Sequence, residues 1–465
     1  MRRERNVAFK ADVFESLIDP QLFDCPRSWP SSTVDDERFL EPIRRKLTAR
    51  RGRPTIPLGT YLRMVYLKRR YRLGFEALVK EVADSLVWRR FCRLRLTDKV
   101  PDATTLIKLT HRLGPDVIEQ LNDALMAQLV EARLMKRHGQ RIRVDTTVVE
   151  ANIHHPTDAG LLADGVRVLT RLMRRAKEAG IGVRLSVRDR LRSVRRRLRR
   201  IGQMLRRGGE KAQAEVDRLT AEVALRAEQT LQEAQRMARA VQRRIRQLGP
   251  AVGSRYRALA QGLVTYTRRL RRVLEQTRLR LQGIRTIPDR LVSLFDPDAR
   301  PIRRGKLSKP VEFGYKLVLV ETQEGFIRHF RLHGGNPSDD SVLVDAVAEH
   351  IHAVGATPRA VAADRGMSSR ANEAALRAMG IAYVALPARS GRARRLFERR
   401  RAFRRLLRWR SGQEGRIAHL KHAFELDRSR YRGAERAFTW IGEDLLAHNL
   451  TRAARRLLAL APAQA

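Results

Sequence analysis

Between residues 187 and 283 the apolar side chains recur at alternating spacings of three and four. Leu191, Val194, Leu198, Ile201 and Leu205 set the pattern, Ala227, Leu231, Ala234, Ala238, Val241, Ile245 and Leu248 keep it, and Tyr256, Leu259, Leu263, Tyr266, Leu270 and Val273 repeat it. Only a helix brings such positions onto one continuous stripe, and a stripe of this period is satisfied by packing against another like it. Gly208-Gly209 and Gly249-Pro250 divide the segment into three runs, so it reads as antiparallel helices with coiled-coil seams. A disordered basic linker would not keep its seam apolar almost without exception.

The segment interrupts a different pattern. Ile142, Val144, Thr146 and Val148 alternate with Arg141, Arg143, Asp145 and Thr147, the period of a strand. Strands resume only after residue 310. Tyr315 to Glu321 and Gly325 to Leu332 flank the turn Gln323-Glu324-Gly325 as a hairpin, Arg359 to Ala363 makes a short strand, Ser368 to Met379 a helix, and Ile381 to Leu386 a last strand. This order describes a mixed α/β layer split by the helical insertion. Before it, helices are predicted from Pro57, over Phe75 to Asp84, Leu86 to Leu94 and Thr104 to Leu113, and near 115 to 136. Arg69, Arg70, Arg72, Arg89 and Arg90 on these short helices suit a helix-turn-helix reading DNA, or equally a small bundle with a solvated basic face. Residues 1 to 40, with Pro20, Pro26 and Pro30, read as an irregular arm.

The formal net charge is +46, with 96 Lys and Arg against 50 Asp and Glu in 465 residues. A coding bias toward Arg accounts for Arg over Lys but not for bases over acids, so the charge calls for a polyanion, and nucleic acid leads. No stretch approaches the ~20 apolar residues of a membrane span, and the basic start runs into no apolar segment, so neither signal nor anchor is expected. Cys25 and Cys92 build no disulfide framework or zinc site, which fits a reducing cytoplasm.

Two-metal phosphoryl transfer needs carboxylates brought together from separate elements, because the ions sit roughly 3.5 to 4 Å apart and clamp the attacking and leaving oxygens. Asp145 lies within a strand, and Asp364 follows the apolar run Ala360-Val361-Ala362-Ala363, at the carboxyl end where α/β proteins place ligands. Each alone is a weak signal. Glu414 comes with Arg410 four residues before it and Lys421 seven after, and at 100° per residue both fall within about 40° of it on a helix. An i,i+4 surface ion pair explains Arg410 but gives Lys421 no reason. His154 and His155 with Asp158 could suggest zinc, but adjacent histidines do not share a helix face and no further ligands are suitably spaced. Tyr431 among Arg428, Arg430 and Arg432 could mimic a recombinase nucleophile, a much weaker reading.

Arg410, Glu414 and Lys421 resemble the Arg-x3-Glu-x6-Lys signature of many bacterial insertion-sequence DDE transposases with a ribonuclease-H-like core, with Leu407 where the full signature has Tyr. Val144-Asp145-Thr146-Thr147-Val148-Val149-Glu150-Ala151-Asn152-Ile153-His154-His155-Pro156-Thr157-Asp158 is similar to the family's first-aspartate block, and Ala363-Asp364-Arg365-Gly366 to its second. Gly334-Gly335-Asn336-Pro337-Ser338-Asp339-Asp340 and Ala447-His448-Asn449-Leu450 also look familial. The resemblance runs from about residue 50 to 455 and points to the ISNCY group or a close neighbour.

It implies Asp145, Asp364 and Glu414 as catalytic residues and ligands of two Mg²⁺ or Mn²⁺ ions, with Arg410 and Lys421 on DNA. It implies double-stranded DNA partners, both terminal inverted repeats and target, a homo-oligomer of two or more chains pairing the ends, and a bacterial cytoplasmic, nucleoid-associated location. The expected fold is α/β, a ribonuclease-H-like mixed sheet with helices. Its expected divisions are an arm at 1–40, a helical domain at 41–136, a first catalytic part at 137–165, a basic helical coiled-coil insertion at 166–295, and a second catalytic part with C-terminal helices at 296–465. A DNA-binding protein without catalysis is the alternative, and a tyrosine recombinase, which would form a covalent DNA adduct, a more distant one.

Overall fold

The computed structural model describes residues 36–460 apart from 48–55, 139, 250–252, 285, 304–309 and 389–390. Most of the expected N-terminal arm, with Cys25 and the three prolines, lies outside the described residues. Its last residues are helical, because Phe39, Leu40 and Ile43 of α1 (Glu37–Leu47) are buried on one side. The chain forms two compact units, residues 1–152 with 315–465, and residues 153–314.

The first unit is built on a sheet. Strands β1 (Arg141–Glu150), β3 (Val311–Thr322), β4 (Ile327–His333), β5 (Ala360–Ala363) and β6 (Tyr383–Ala385) lie in the order β4-β3-β1-β5-β6, while β2 (Arg300–Arg303), in the second unit, pairs antiparallel with residues 311–314. β1 pairs parallel with β5 and β5 with β6, and β3 and β4 form the antiparallel hairpin. Both faces of β1 are buried, as suits a central strand, so its Arg and Asp alternate into protein rather than solvent.

Period-two alternation sends Ile142, Val144, Val318, Val320, Val361 and Ala363 to a face covered by α10 (Asp339–Val354) and α11 (Arg370–Ala378). Ala360, Ala362 and Ala385 point the other way, against Phe403 and Leu406 of α13 (Arg401–Ala423), which follows α12 (Arg392–Glu398). Alanine on those strands leaves room for that helix to lie close.

The N-terminal helices do not form a core of their own. Helices α2 (Leu58–Arg70), α3 (Phe75–Asp84), α4 (Leu86–Phe91) and α5 (Ala103–Glu131) share one apolar cluster with Leu317, Leu319, Phe326 and Phe330 of the hairpin and with α14 (Ala434–Leu460). Two helices were expected on either side of residue 114, and α5 indeed breaks helical geometry at Gly114, where φ is 72°. The helix expected to reach Leu94 stops at Phe91, and Arg93 takes a left-handed φ of 56°. Two of the arginines expected on a DNA-reading or solvated face are interior. Arg69, 2% exposed, donates to Glu443 (Nε to Oε2 2.9 Å), lies 3.3 Å from Asp444 and stacks over Trp440. Arg89 donates to the carbonyls of Arg95, Leu96 and Asp98. Burial without such partners would cost several kcal/mol per charge, so their sequence spacing served packing rather than display.

The second unit holds α6 (Asp158–Glu178), α7 (Leu191–Arg207), α8 (Glu210–Leu248) and α9 (Ser254–Leu281). Leu162, Val166, Leu169 and Met173 of α6 join Val194, Ala227, Ala234, Val241, Leu263, Leu270 and Val273 in one core, whereas Leu205, at the end of its seam, is exposed. At Gly165 a Cβ would overlap the Leu270 side chain, so α6 and α9 approach through that glycine. A boundary at 166 would cut α6 in its middle. The unit begins instead at 153 and ends at 314, because α6 packs on α8 and α9. Among the described residues no helix is long and apolar enough to cross a membrane.

Candidate active site

Parallel pairing of β1 with β5 sets Val144 opposite Ala363, so Asp145 and Asp364, the next residue on each chain, emerge side by side. Asp145 shares strand parity with Arg143, whose partner is Ala362, and therefore faces α13. Asp364 ends β5 and caps the following turn, its Oδ1 accepting from the Arg365 amide at 2.6 Å. Glu414 and Arg410 lie one helical turn apart on α13. The strand order thus gathers carboxylates separated by more than 200 residues.

The Arg410 guanidinium sits among all three. Its Nη2 is 3.2 Å from Asp145 Oδ2, and its Nη1 is 3.6 Å from Asp364 Oδ1 and 3.4 Å from Glu414 Oε1. The site grades from interior to solvent, with side-chain exposures of 11% for Asp145, 51% for Asp364 and 72% for Glu414. Burial pushes the Asp145 carboxyl up to about 6, against the pull of Arg410 and the Thr146 amide, and the neighbouring Asp364 and Glu414 charges add to the rise.

Hard carboxylate oxygens without sulfur or imidazole suit Mg²⁺ or Mn²⁺. Among the described residues no three acidic, histidine or cysteine side chains yet close on one point, and the centre to which these three turn is held by the Arg410 cation as a stand-in. The three carboxylates fit a divalent ion in the chemistry of their oxygens, and all three lie within 3.6 Å of the Arg410 guanidinium. Lys421, seven residues beyond Glu414, is half-buried and donates to the Val148 carbonyl of β1 at 3.0 Å.

Two networks flank this centre, and neither was singled out in the sequence. Glu321 of β3, fully buried, accepts from Arg143 through both oxygens (Nε to Oε2 3.0 Å, Nη2 to Oε1 2.8 Å) and from Arg416 Nε at 3.0 Å. Arg143 also donates to the Trp409 carbonyl. Arg143 stands two residues before Asp145 and Arg416 two after Glu414, so Glu321 ties the strand bearing one carboxylate to the helix bearing another. On the opposite side of β1, Thr146 Oγ1 donates to Asp339 Oδ1 at 2.9 Å, and Lys316 Nζ lies 2.6 Å from the same oxygen. A Cβ on Gly366 would come within 3.1 Å of Asp339 Oδ2, so that glycine admits the acid beside the Asp364 turn. The Gly334-to-Asp340 block was visible in the sequence, but only its contact with Thr146 gives it a place.

Other candidates fall elsewhere. Asp158 is bound by Arg290 at 2.9 and 3.0 Å and by Gln276, which accounts for its burial without a metal, and His155 packs edge-on against Phe313. Tyr431 packs on Trp440 and His111, and burial pushes its hydroxyl further above the usual phenol range, which disfavours the phenolate a nucleophile requires.

Residues 26–112 match a family model described as Transposase domain (DUF772), and residues 292–450 match one described as Transposase DDE domain. A relative from Rhizobium meliloti, "Uncharacterized protein ORF8 in nfe locus", is 30% identical over 197 residues, 40% of this chain and 90% of the relative. No solved structure matches the chain.

Proposed function

The chain belongs to the DDE transposases of insertion sequences, and on that premise we propose that it cuts DNA at insertion-sequence ends and joins them to target DNA through Asp145, Asp364 and Glu414. The observation that carries this reading is the convergence of those carboxylates, from β1, the end of β5 and α13, on the one cation of Arg410. Mixed strand order with helices on both faces supports a ribonuclease-H-like core.

Asp145, Asp364 and Glu414 would hold two Mg²⁺ or Mn²⁺ ions, whose Lewis acidity would activate water, and later a freed 3′-hydroxyl, and stabilise the leaving oxygen. The chain's own residues supply the rest. Asp145 offers its oxygens only when its carboxyl, raised to about 6 by burial, has lost its proton. Arg410, released from the carboxylates, and Lys421, on the same helix, supply cations for phosphates beside the scissile bond. Attack on phosphorus is direct, so no covalent protein–DNA intermediate forms. The net charge of +46 supports duplex DNA as partner, with terminal inverted repeats paired by a homo-oligomer in the bacterial cytoplasm.

The test incubates purified protein with DNA from either side of its own gene and Mg²⁺, and maps the breaks. Asp145→Asn, Asp364→Asn and Glu414→Gln should each abolish cleavage while DNA binding persists. Mg²⁺-dependent cuts surviving in one of them would remove that residue from the site, and a covalent protein–DNA adduct would reverse the mechanism.

A further inference from the structure

Helix α7 is the most basic element of the second unit, LRSVRRRLRRIGQMLRR, with no acidic residue. Its arginines divide by face. Val194 and Ile201 are buried, Leu191 and Leu198 pack at the margin of the core that holds Val194, and Ile201 packs with Ala159, Val216 and Leu219. Beside that stripe, Arg197 pairs with Glu222 at 2.6 Å and Arg200 with Glu215 at 3.2 Å, both on α8, so these two tie α7 to its neighbour. Arg192, Arg195, Arg196, Arg199, Arg206 and Arg207 are exposed, and none forms an ion pair among the described residues.

At 100° per residue these six fall within an arc of about 120°, and from 192 to 206 the ridge runs roughly 21 Å at 1.5 Å per residue. Like charges at i,i+3 and i,i+4, such as Arg192 with Arg195 and Arg196, or Arg195 with Arg199, each cost a few tenths of a kcal/mol. Acids balance the lateral arginines but not the ridge. A rod of phosphates supplies the missing charge, since duplex DNA carries one negative charge per ≈1.7 Å of its axis.

We propose that the Arg192–Arg207 ridge of α7 is a docking surface for the phosphate backbone of duplex DNA. The inference rests on the reading of the chain as a DNA-acting enzyme and adds which face of the helical unit the duplex meets. Contact of this kind is independent of base sequence and governed by salt.

The experiment measures binding of the full chain to a 40-base-pair duplex by fluorescence anisotropy across a NaCl series. Each neutralised phosphate contributes about 0.9 to the slope of log affinity against log salt. Combined Arg192→Gln, Arg195→Gln, Arg196→Gln and Arg199→Gln should therefore flatten the slope by about 3 to 4 and weaken binding at least tenfold near 0.1 M salt. The same four changed to Lys should keep the slope, and Arg197→Gln with Arg200→Gln should leave it unchanged. In the unaltered protein, bound duplex should protect Arg192, Arg195, Arg196 and Arg199 from arginine-specific modification, a readout that needs no variant to fold. An unchanged slope in the glutamine variant, or absence of protection, while the wild-type chain binds duplex, overturns the ridge and leaves the enzymatic reading standing. Loss seen with single-stranded RNA but not with duplex overturns the assignment of partner. A wild-type chain that binds no duplex at any salt overturns both readings together.

Discussion

Arg410 Nη2 lies 3.2 Å from Asp145 Oδ2, and the rest of the same guanidinium spans Asp364 and Glu414. The arginine is thereby the internal counter-ion of a buried carboxylate. Arg410→Ala should destabilise the metal-free protein by about 2 kcal/mol, the cost of leaving a buried charged group unpaired. Mn²⁺ should then raise the melting temperature more in the variant than in the wild type, because the ion no longer competes with a resident cation. Thermal melts in EDTA and in Mn²⁺ make the comparison, and equal melting of the two proteins in EDTA would rule out the counter-ion role.

Glu321 touches none of the three carboxylates, yet its removal should reach them. Glu321→Gln leaves the Arg143 and Arg416 cations without their shared anion, and breaking a buried pair from one side costs about 3–5 kcal/mol. The expected result is a lower melting temperature and a cleavage rate reduced more than DNA affinity, since β1 and α13 lose the tie that aligns Asp145 with Glu414. A variant whose rate at saturating DNA matched wild type would confine Glu321 to stability.

Helix α6 carries its apolar face within the second unit, where Leu162, Val166, Leu169 and Met173 are buried. Joining residue 186 to 284 would uncover those four side chains, at about 2 kcal/mol each. That shortened chain should bind a hydrophobic dye and lose cooperative melting. A peptide of residues 153–299, which keeps α6 with its neighbours, should melt cooperatively as a helical unit by circular dichroism. Cooperative melting of the 187–283 segment without α6 would show that α6 is dispensable.

His350 of α10 is fully buried, and burial, with Arg328 and His329 nearby, pushes its imidazole down to about 3. The unfolded chain takes up a proton near 6.5, whereas the folded chain does so only near 3. Its contribution to stability is thus complete above pH 6.5 and is lost as pH falls toward 3. Between pH 7 and 5 the loss should be about 2 kcal/mol, from 1.36 kcal/mol per pH unit below 6.5. Urea denaturation at both pH values should show that His350→Leu removes this part of the pH dependence, and an unaltered dependence would place it on other groups.

What the residues alone determined is local. The period of two around Asp145, the apolar run before Asp364 and the turn-and-turn spacing of Arg410, Glu414 and Lys421 each follow from the geometry of one element, so β1, β5 and α13 are legible in the sequence. The three stripes between 187 and 283 were legible for the same reason. Tertiary structure decided what each charge was for. Arg69 and Arg89 have the sequence character of surface cations, and only packing shows them buried against Glu443 and backbone carbonyls. Helical phase separates Arg197 from Arg199, but only packing shows that Arg197 reaches Glu222 while Arg199 reaches no acid among the described residues. Glu321 became a tie between strand and helix, and α6 became part of the second unit, through partners far away in sequence. Helical and strand periods are properties of neighbouring residues, whereas the environment of a charge depends on strand register and helix packing that no local spacing encodes.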